Sequence, residues 1–206
     1  MAEETRKELA RDLLRVLNGM RNTEDARVTA ILPASFIEVH LAALIKKNLP
    51  GIDEHYGKKL FGLNGWLTEM ARKIDLSVCL GLVKPSLAKR FELVARVRNR
   101  FAHELQVTSF DHQRVVPLID SLTATNTPPP KIMVGHEWEP LLAKTKAGLF
   151  TREAMSACGA LSALMSGGEW FEYTDESVPE GTPRTLRKIS FGTLPQVTED
   201  PHPKGR

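Results

Sequence analysis

Two cysteines in 206 residues exclude a disulfide framework. Cys79 and Cys158 stand alone in apolar helical settings, so two free, buried thiols in a reducing compartment are expected. Paired cysteines and an H-E-x-x-H spacing are both missing. His40, His55, His112, His136 and His202 are scattered, so no metal site is expected. His136-Glu137-Trp138-Glu139 reads as a surface or subunit contact. There is no G-x-S-x-G, no phosphate loop ending in Gly-Lys-Ser/Thr and no glycine-rich dinucleotide turn, so no small-molecule enzyme and no cofactor is expected. No apolar run approaches the roughly eighteen residues that span a bilayer. The start MAEETRKELARDLLRVL mixes charges with leucines and carries no secretory signal. A formal net charge of only +3 excludes a chain that coats nucleic acid over its whole surface. These absences imply a cytoplasmic protein without membrane contact.

What the chain does have is helical periodicity. From Lys84 to Leu105, KPSLAKRFELVARVRNRFAHEL, the residues Leu87, Phe91, Val94, Val97, Phe101 and Leu105 recur at three- and four-residue steps. That spacing makes one apolar stripe. Pro85 suits a first helical position, where its fixed φ fits and a missing N–H costs nothing. Lys89, Arg90, Arg96 and Arg100 fall on the wetter side and are the candidate nucleic-acid contacts, although a solvated face is the blander account of such a run.

Upstream, Glu3 to Met20 reads as a first helix, ended by Asn18-Gly19 and Arg21-Asn22. Thr23 is placed to cap a second, which carries Val28, Ile31, Leu32, Phe36, Val39 and Leu41 and is apolar nearly all round, the mark of a central helix. Pro33 lies inside it and should kink or split it. Asp53 to Leu60 reads as a short helix or turn, Phe61 to Gly65 as a compact turn, and Trp66 to Leu80 as a helix with Leu67, Met70, Ile74 and Cys79 inward. Short loops and no strand-type alternation give an all-α, up-and-down helical bundle. Residues 1–122 form the bundle domain, including a helix near Gln113 to Leu122. Residues 123–170 are a proline-rich connection (TATNTPPPK at its start) and a C-terminal helix, Thr151 to Met165, capped by Thr151 and packing on the bundle. Residues 171–206 are a mostly disordered tail, apart from a strand around Arg187 to Phe191. No internal repeat is present.

Arg98, Asn99 and His103 do not fit a plain surface helix. Asn99 and His103 are four apart and share a face, whereas Arg98 lies about 140° round the helix from His103. A long Arg can close that gap by laying its stem on apolar neighbours. A guanidinium holds phosphate or carboxylate oxygens bidentately, and imidazole exchanges protons near neutral pH. The competing arrangement is a buried polar network, with Arg98 paired to Glu24, Asp25 or Glu38 and His103 capping helix carbonyls.

Arg98-Asn99-x-x-x-His103 at the end of a long helix resembles the R-polar-x3-H signature of the HEPN superfamily. More of the chain, from about Glu24 to His103, resembles the mannitol-operon-repressor (MltR-like) family. EDARVTAILPASFIEVHLAALIKKNL, KLFGLNGWLTEMARKIDLSVCLGLV and FELVARVRNRFAH follow that family's order of an acidic Arg-Ala start, an apolar helix, an FG-x-x-G turn, a K-I helix ending in LGL, and an R-x-x-RN-x-FAH helix. The MltR-like resemblance implies a transcription regulator and not an enzyme, acting through a protein partner such as another transcription regulator, without reading DNA directly. The Lys84 helix agrees, since it carries core positions that a groove-reading helix would lose. The HEPN resemblance implies the alternative, a metal-independent endoribonuclease acting on RNA. In it His103 moves the proton of a ribose 2′-OH or leaving oxygen, Arg98 neutralises phosphate charge, and Asn99 orients them. It also implies a homodimer with two such sites facing each other. Beyond Thr123 the resemblance stops.

Overall fold

The computed structural model describes residues 2–21, 23–49, 51–125, 145–166, 170–173 and 186–189. Among them are seven helices: α1 (Ala2–Arg21), α2 (Ala26–Lys47), α3 (Glu54–Phe61), α4 (Met70–Cys79), α5 (Pro85–His103), α6 (Val116–Thr123) and α7 (Lys146–Met165). A two-stranded antiparallel ladder, β1 (Trp170–Tyr173) with β2 (Leu186–Ile189), follows them, with Trp170 opposite Ile189 and Tyr173 opposite Leu186. The strand expected near Arg187 is β2. The architecture is an all-α bundle.

Helix α2 is the centre because it has no polar side wide enough to face water. It packs against α1, α4, α5 and α7, burying Phe36, Ile37, Leu41, Leu44 and Ile45. By length and composition it is apolar enough to cross a membrane, which corrects the expectation that no such run exists; here that apolarity serves the core. Its cap is Asp25, whose carboxylate accepts from the Arg27 N–H at 2.8 Å, while Thr23 supports the turn by accepting from the Asp25 N–H. Thr23 is therefore not the cap. Pro33 neither splits nor ends the helix, because the surrounding helices fix the backbone that its missing N–H leaves one bond short. Helix α1 runs on through Asn18-Gly19 to Arg21. A Cβ on Gly19 would lie 2.6 Å from Leu32 Cδ1, so glycine there lets α1 and α2 approach closely.

Helix α7 is longer than expected. It starts at Lys146, capped by Thr145, whose hydroxyl accepts from the Gly148 N–H at 3.0 Å; Thr151 is a buried interior residue. It touches α1, α2, α5 and α6 and buries Ala154, Cys158 and Leu161 as the spacing predicts, with Ser156, Ala157 and Ala160 besides. The small residues make this near-complete burial possible, since they let neighbouring backbones close in. Between α5 and α7 an ion pair is sealed in the core. Arg90 Nη2 donates to Glu153 Oε2 and to the Glu153 carbonyl, both at 2.9 Å, and Arg152 reaches the other carboxylate oxygen at 2.9 Å. The two paired side chains are only 2% and 4% exposed.

The connection before α4 holds its turn through Gly65. A Cβ there would sit 2.3 Å from the Leu60 carbonyl oxygen, a backbone atom that cannot move aside, so the site admits only glycine. The turn delays α4 to Met70, later than the expected Trp66. Trp66 is exposed, and so is Cys79, correcting its inward assignment. Gly81, at φ +68°, ends α4 in the left-handed region. Helix α5 begins with Pro85 in its first turn and ends at His103. Leu105 is 84% exposed, so the apolar stripe stops at Phe101. The chain is then pinned back by a run of buried rings, Phe101 against Phe110 at 4.7 Å and Phe110 stacked on Phe150 at 5.0 Å. Residues 126–144 and most of 174–206 lie outside the described residues, and with them the proline-rich connection, His136 to Glu139 and the expected disorder of the tail.

Candidate functional site

The apolar side of α5 faces α2, and α4 lies alongside both. Between α4 and α5, which pack together, lies a cleft of about 590 Å³ with Ala71 and Ala95 in its lining. Ile74, 1% exposed, forms part of its floor, with Met70 beside it. Helix α5 contributes Glu92, Arg96, Asn99 and His103 to one wall, residues spaced three and four apart and so stacked along one face. Arg98 lines the same cleft.

The gap between Arg98 and the Asn99–His103 row is closed by a hydrogen bond: Arg98 Nη1 donates to Asn99 Oδ1 at 2.9 Å. Arg98 is half-buried, while Asn99 and His103 are exposed. The cleft thus brings together all three residues of the sequence pattern and leaves them open to solvent. The alternative network with Glu24, Asp25 or Glu38 does not form. Asp25 caps α2, Glu24 is exposed, and Glu38 accepts from Lys73 Nζ at 2.8 Å. The carbonyls at the end of α5 are bound by Arg27 instead of His103: its guanidinium donates to the carbonyls of Phe101, Glu104 and Leu105, the last at 2.9 Å.

The acids around the cleft have their own cations. Lys73, 7% exposed, bridges Glu38 and the Thr68 carbonyl; Arg72 lies 3.6 Å from Glu69; Lys89 lies 3.1 Å from Glu92. None of these three cations lines the cleft. Among the described residues, neither Arg96 nor Arg98 has an acid within ion-pair distance.

The four candidate nucleic-acid contacts separate. Arg96 is exposed at the cleft. Lys89 is paired to Glu92. Arg100 shares Glu104 with Arg114, and these two cations hold the Glu104 carboxyl below its ordinary range, the hydrogen bond from Arg100 acting most strongly. Arg90 is in the core with Glu153, a correction to its place on the wet side; a side chain 1% exposed cannot meet a phosphate. The stripe read along α5 is therefore not a continuous positive surface.

Among solved structures, the chain is similar to one in the X-ray structure of the MtlR-HPr complex from Escherichia coli, with a TM-score of 0.52, 16% identity, and coverage of 75% of this chain and 98% of that one. That likeness is one of fold. No family profile matches the chain, and no curated protein does.

Arg27 and Lys73 also shape the site, and neither is among the candidates the sequence offers, although they stand in EDARVTAIL and TEMARKIDL. A lysine on the inward row of an amphipathic helix, one place before Ile74, was the available signal that an acid must wait opposite.

Proposed function

We propose that this chain is a transcription regulator of the mannitol-operon-repressor kind, cytoplasmic and homodimeric, that acts by binding a protein partner and not by reading DNA. The observation that carries this reading is the fold shared with almost the whole length of a regulator solved together with HPr. The charge pattern supports it as well. Lys89, Arg90 and Arg100 are paired within the chain, so α5 lacks the row of available cations that a nucleic-acid backbone requires. HPr is the first partner to test. Calorimetric titration of the purified chain with HPr should show a saturable complex. An absence of heat, with no co-elution in gel filtration, would remove HPr as partner and leave the regulator reading without its main support.

A second reading is favoured by one observation: Arg98, Asn99 and His103 line an open cleft. On it the chain is a metal-independent endoribonuclease of the HEPN type, His103 moving the proton and Arg98 neutralising the phosphate. RNA cleavage in EDTA, lost in His103→Ala and Arg98→Ala variants that keep their circular dichroism, is the expected result on this reading. Intact RNA beside folded wild type would eliminate it.

A further inference from the structure

We propose that the cleft between α4 and α5 is a binding site for a small organic phosphate, with Arg96 and Arg98 holding the phosphoryl group and His103 adding an N–H donor. The inference is independent of the regulator reading. It stands on the charge arrangement of the cleft, its size, and the neutralised surface around it.

Charge comes first. Glu38, Glu69 and Glu92 line the cleft, and on composition alone the site looks acidic. Yet each of the three has a cation at its back, Lys73, Arg72 and Lys89 respectively, standing outside the lining. Arg96 and Arg98 have no such acid among the described residues. Among the described residues Arg98 is held by a neutral amide oxygen, which orients the guanidinium without reducing its charge. Two guanidinium groups, without such an acid, line the cleft, Arg96 on the wall with His103 and Arg98 beside it on Asn99, and they attract an anion; the planar fork of Arg suits phosphoryl oxygens best.

Size decides what the anion is attached to. A volume of about 590 Å³ far exceeds a bare phosphate ion and falls within the roughly 300–1,000 Å³ of small-ligand sites. The rest of the lining offers Met70, Ala71, Ala95 and Ile74 as an apolar floor, and the carboxylates of Glu38 and Glu69 as acceptors for hydroxyl groups. A hydroxylated organic body carrying one phosphoryl group satisfies both parts.

A polymer fits less well. An RNA strand needs positive potential that continues beyond one phosphate. Here the further cations of α5 are engaged, Lys89 with Glu92, and Arg100 together with Arg114 on Glu104.

The test is calorimetric titration of the full chain with inorganic phosphate and with ribose 5-phosphate, in buffer free of other oxyanions. Ribose 5-phosphate should bind more tightly than phosphate alone. Arg96→Ala and Arg98→Ala should each weaken it by at least about tenfold, the scale of one lost charge-assisted hydrogen bond. Melting temperatures of both variants should match wild type, since neither side chain is in the core. No saturable binding of either probe at millimolar concentration would overturn the proposal, as would undiminished binding in the Arg96→Ala/Arg98→Ala double variant. A short RNA that displaces the probe and is cut in EDTA would also overturn it, in favour of the endoribonuclease. HPr titration is unaffected by any of these results, so the two readings fail separately.

Discussion

Arg90 and Arg98 stand about two turns apart on one helix and have opposite fates. Arg90 faces α7, where Glu153 meets it in the core at 2.9 Å and water is excluded. Arg98 lines the cleft beside α4, where Asn99 is its hydrogen-bond partner among the described residues. The same side chain is a structural clamp at one seam of the helix and an available cation at another, about 80° round the axis. What differs is the neighbour, not the residue. A filled seam demands that its charge be paired, because an uncompensated buried ion is expensive; an open cleft leaves the charge solvated and free to meet a ligand.

The strongest way to break this contrast is to remove one carboxylate. Glu153→Ala leaves the Arg90 guanidinium sealed in the core without its partner and should destabilise the fold by about 3–5 kcal/mol, read by urea denaturation. Restoring balance with Arg90→Met and Glu153→Leu together should recover most of that loss, since a well-packed apolar pair often matches a buried ion pair. Arg98→Ala, measured beside them, should change stability by less than about 0.5 kcal/mol. An equal effect of Glu153→Ala and Arg98→Ala would erase the distinction.

Arg27 lies between the two extremes, partly exposed yet bound to the carbonyls that end α5. Arg27→Ala should cost about 1–2 kcal/mol and loosen the last turn. Faster hydrogen exchange at the amides of residues 100–103, with those of residues 87–94 unchanged, is the expected pattern. Uniform exchange along α5 would mean that Arg27 is not its clasp.

The smallest effect is expected from pH, at a third junction. His40 is 8% exposed between α1 and α2, its ring 4.2 Å from Phe36 and its Nε2 3.4 Å from Asp12. Burial pushes its pKa below 6.5, and the nearby carboxylates of Asp12 and Glu8 only partly oppose that. The folded chain therefore favours the neutral ring, and the unfolded chain takes up the proton first. Stability should be full above pH 6.5 and decline as the pH falls through the lower folded value. In His40→Phe the decline over that window should shrink; a slope unchanged by the substitution would place its source elsewhere.

Much of this was legible along the chain, and the errors share a cause. The central role of α2 and the start of α5 at Pro85 follow from periodicity and proline chemistry, which act within a few residues. Arg90 was misplaced because a helix's own periodicity shows which face is apolar but not which neighbour covers its flank; that neighbour, Glu153, is 63 residues away. Thr151 lost the cap to Thr145 for a related reason. Thr145 starts the helix early enough for Thr151 to fall inside, and both hydroxyls look alike in sequence. Cys79 went outward because it stands five residues after the buried Ile74, about 140° round α4 from it.

By itself, then, the sequence determined the helices, the apolar faces that must meet, and the placing of Asn99 and His103 on one side of α5. These are consequences of backbone geometry at short range. Only the tertiary structure decided that Arg90 is walled in, that a cleft opens between α4 and α5, and that Glu38 meets its cation, Lys73, from across a helix boundary. Charge and cavity depend on distances through space, and packing fixes those distances only when the helices come together.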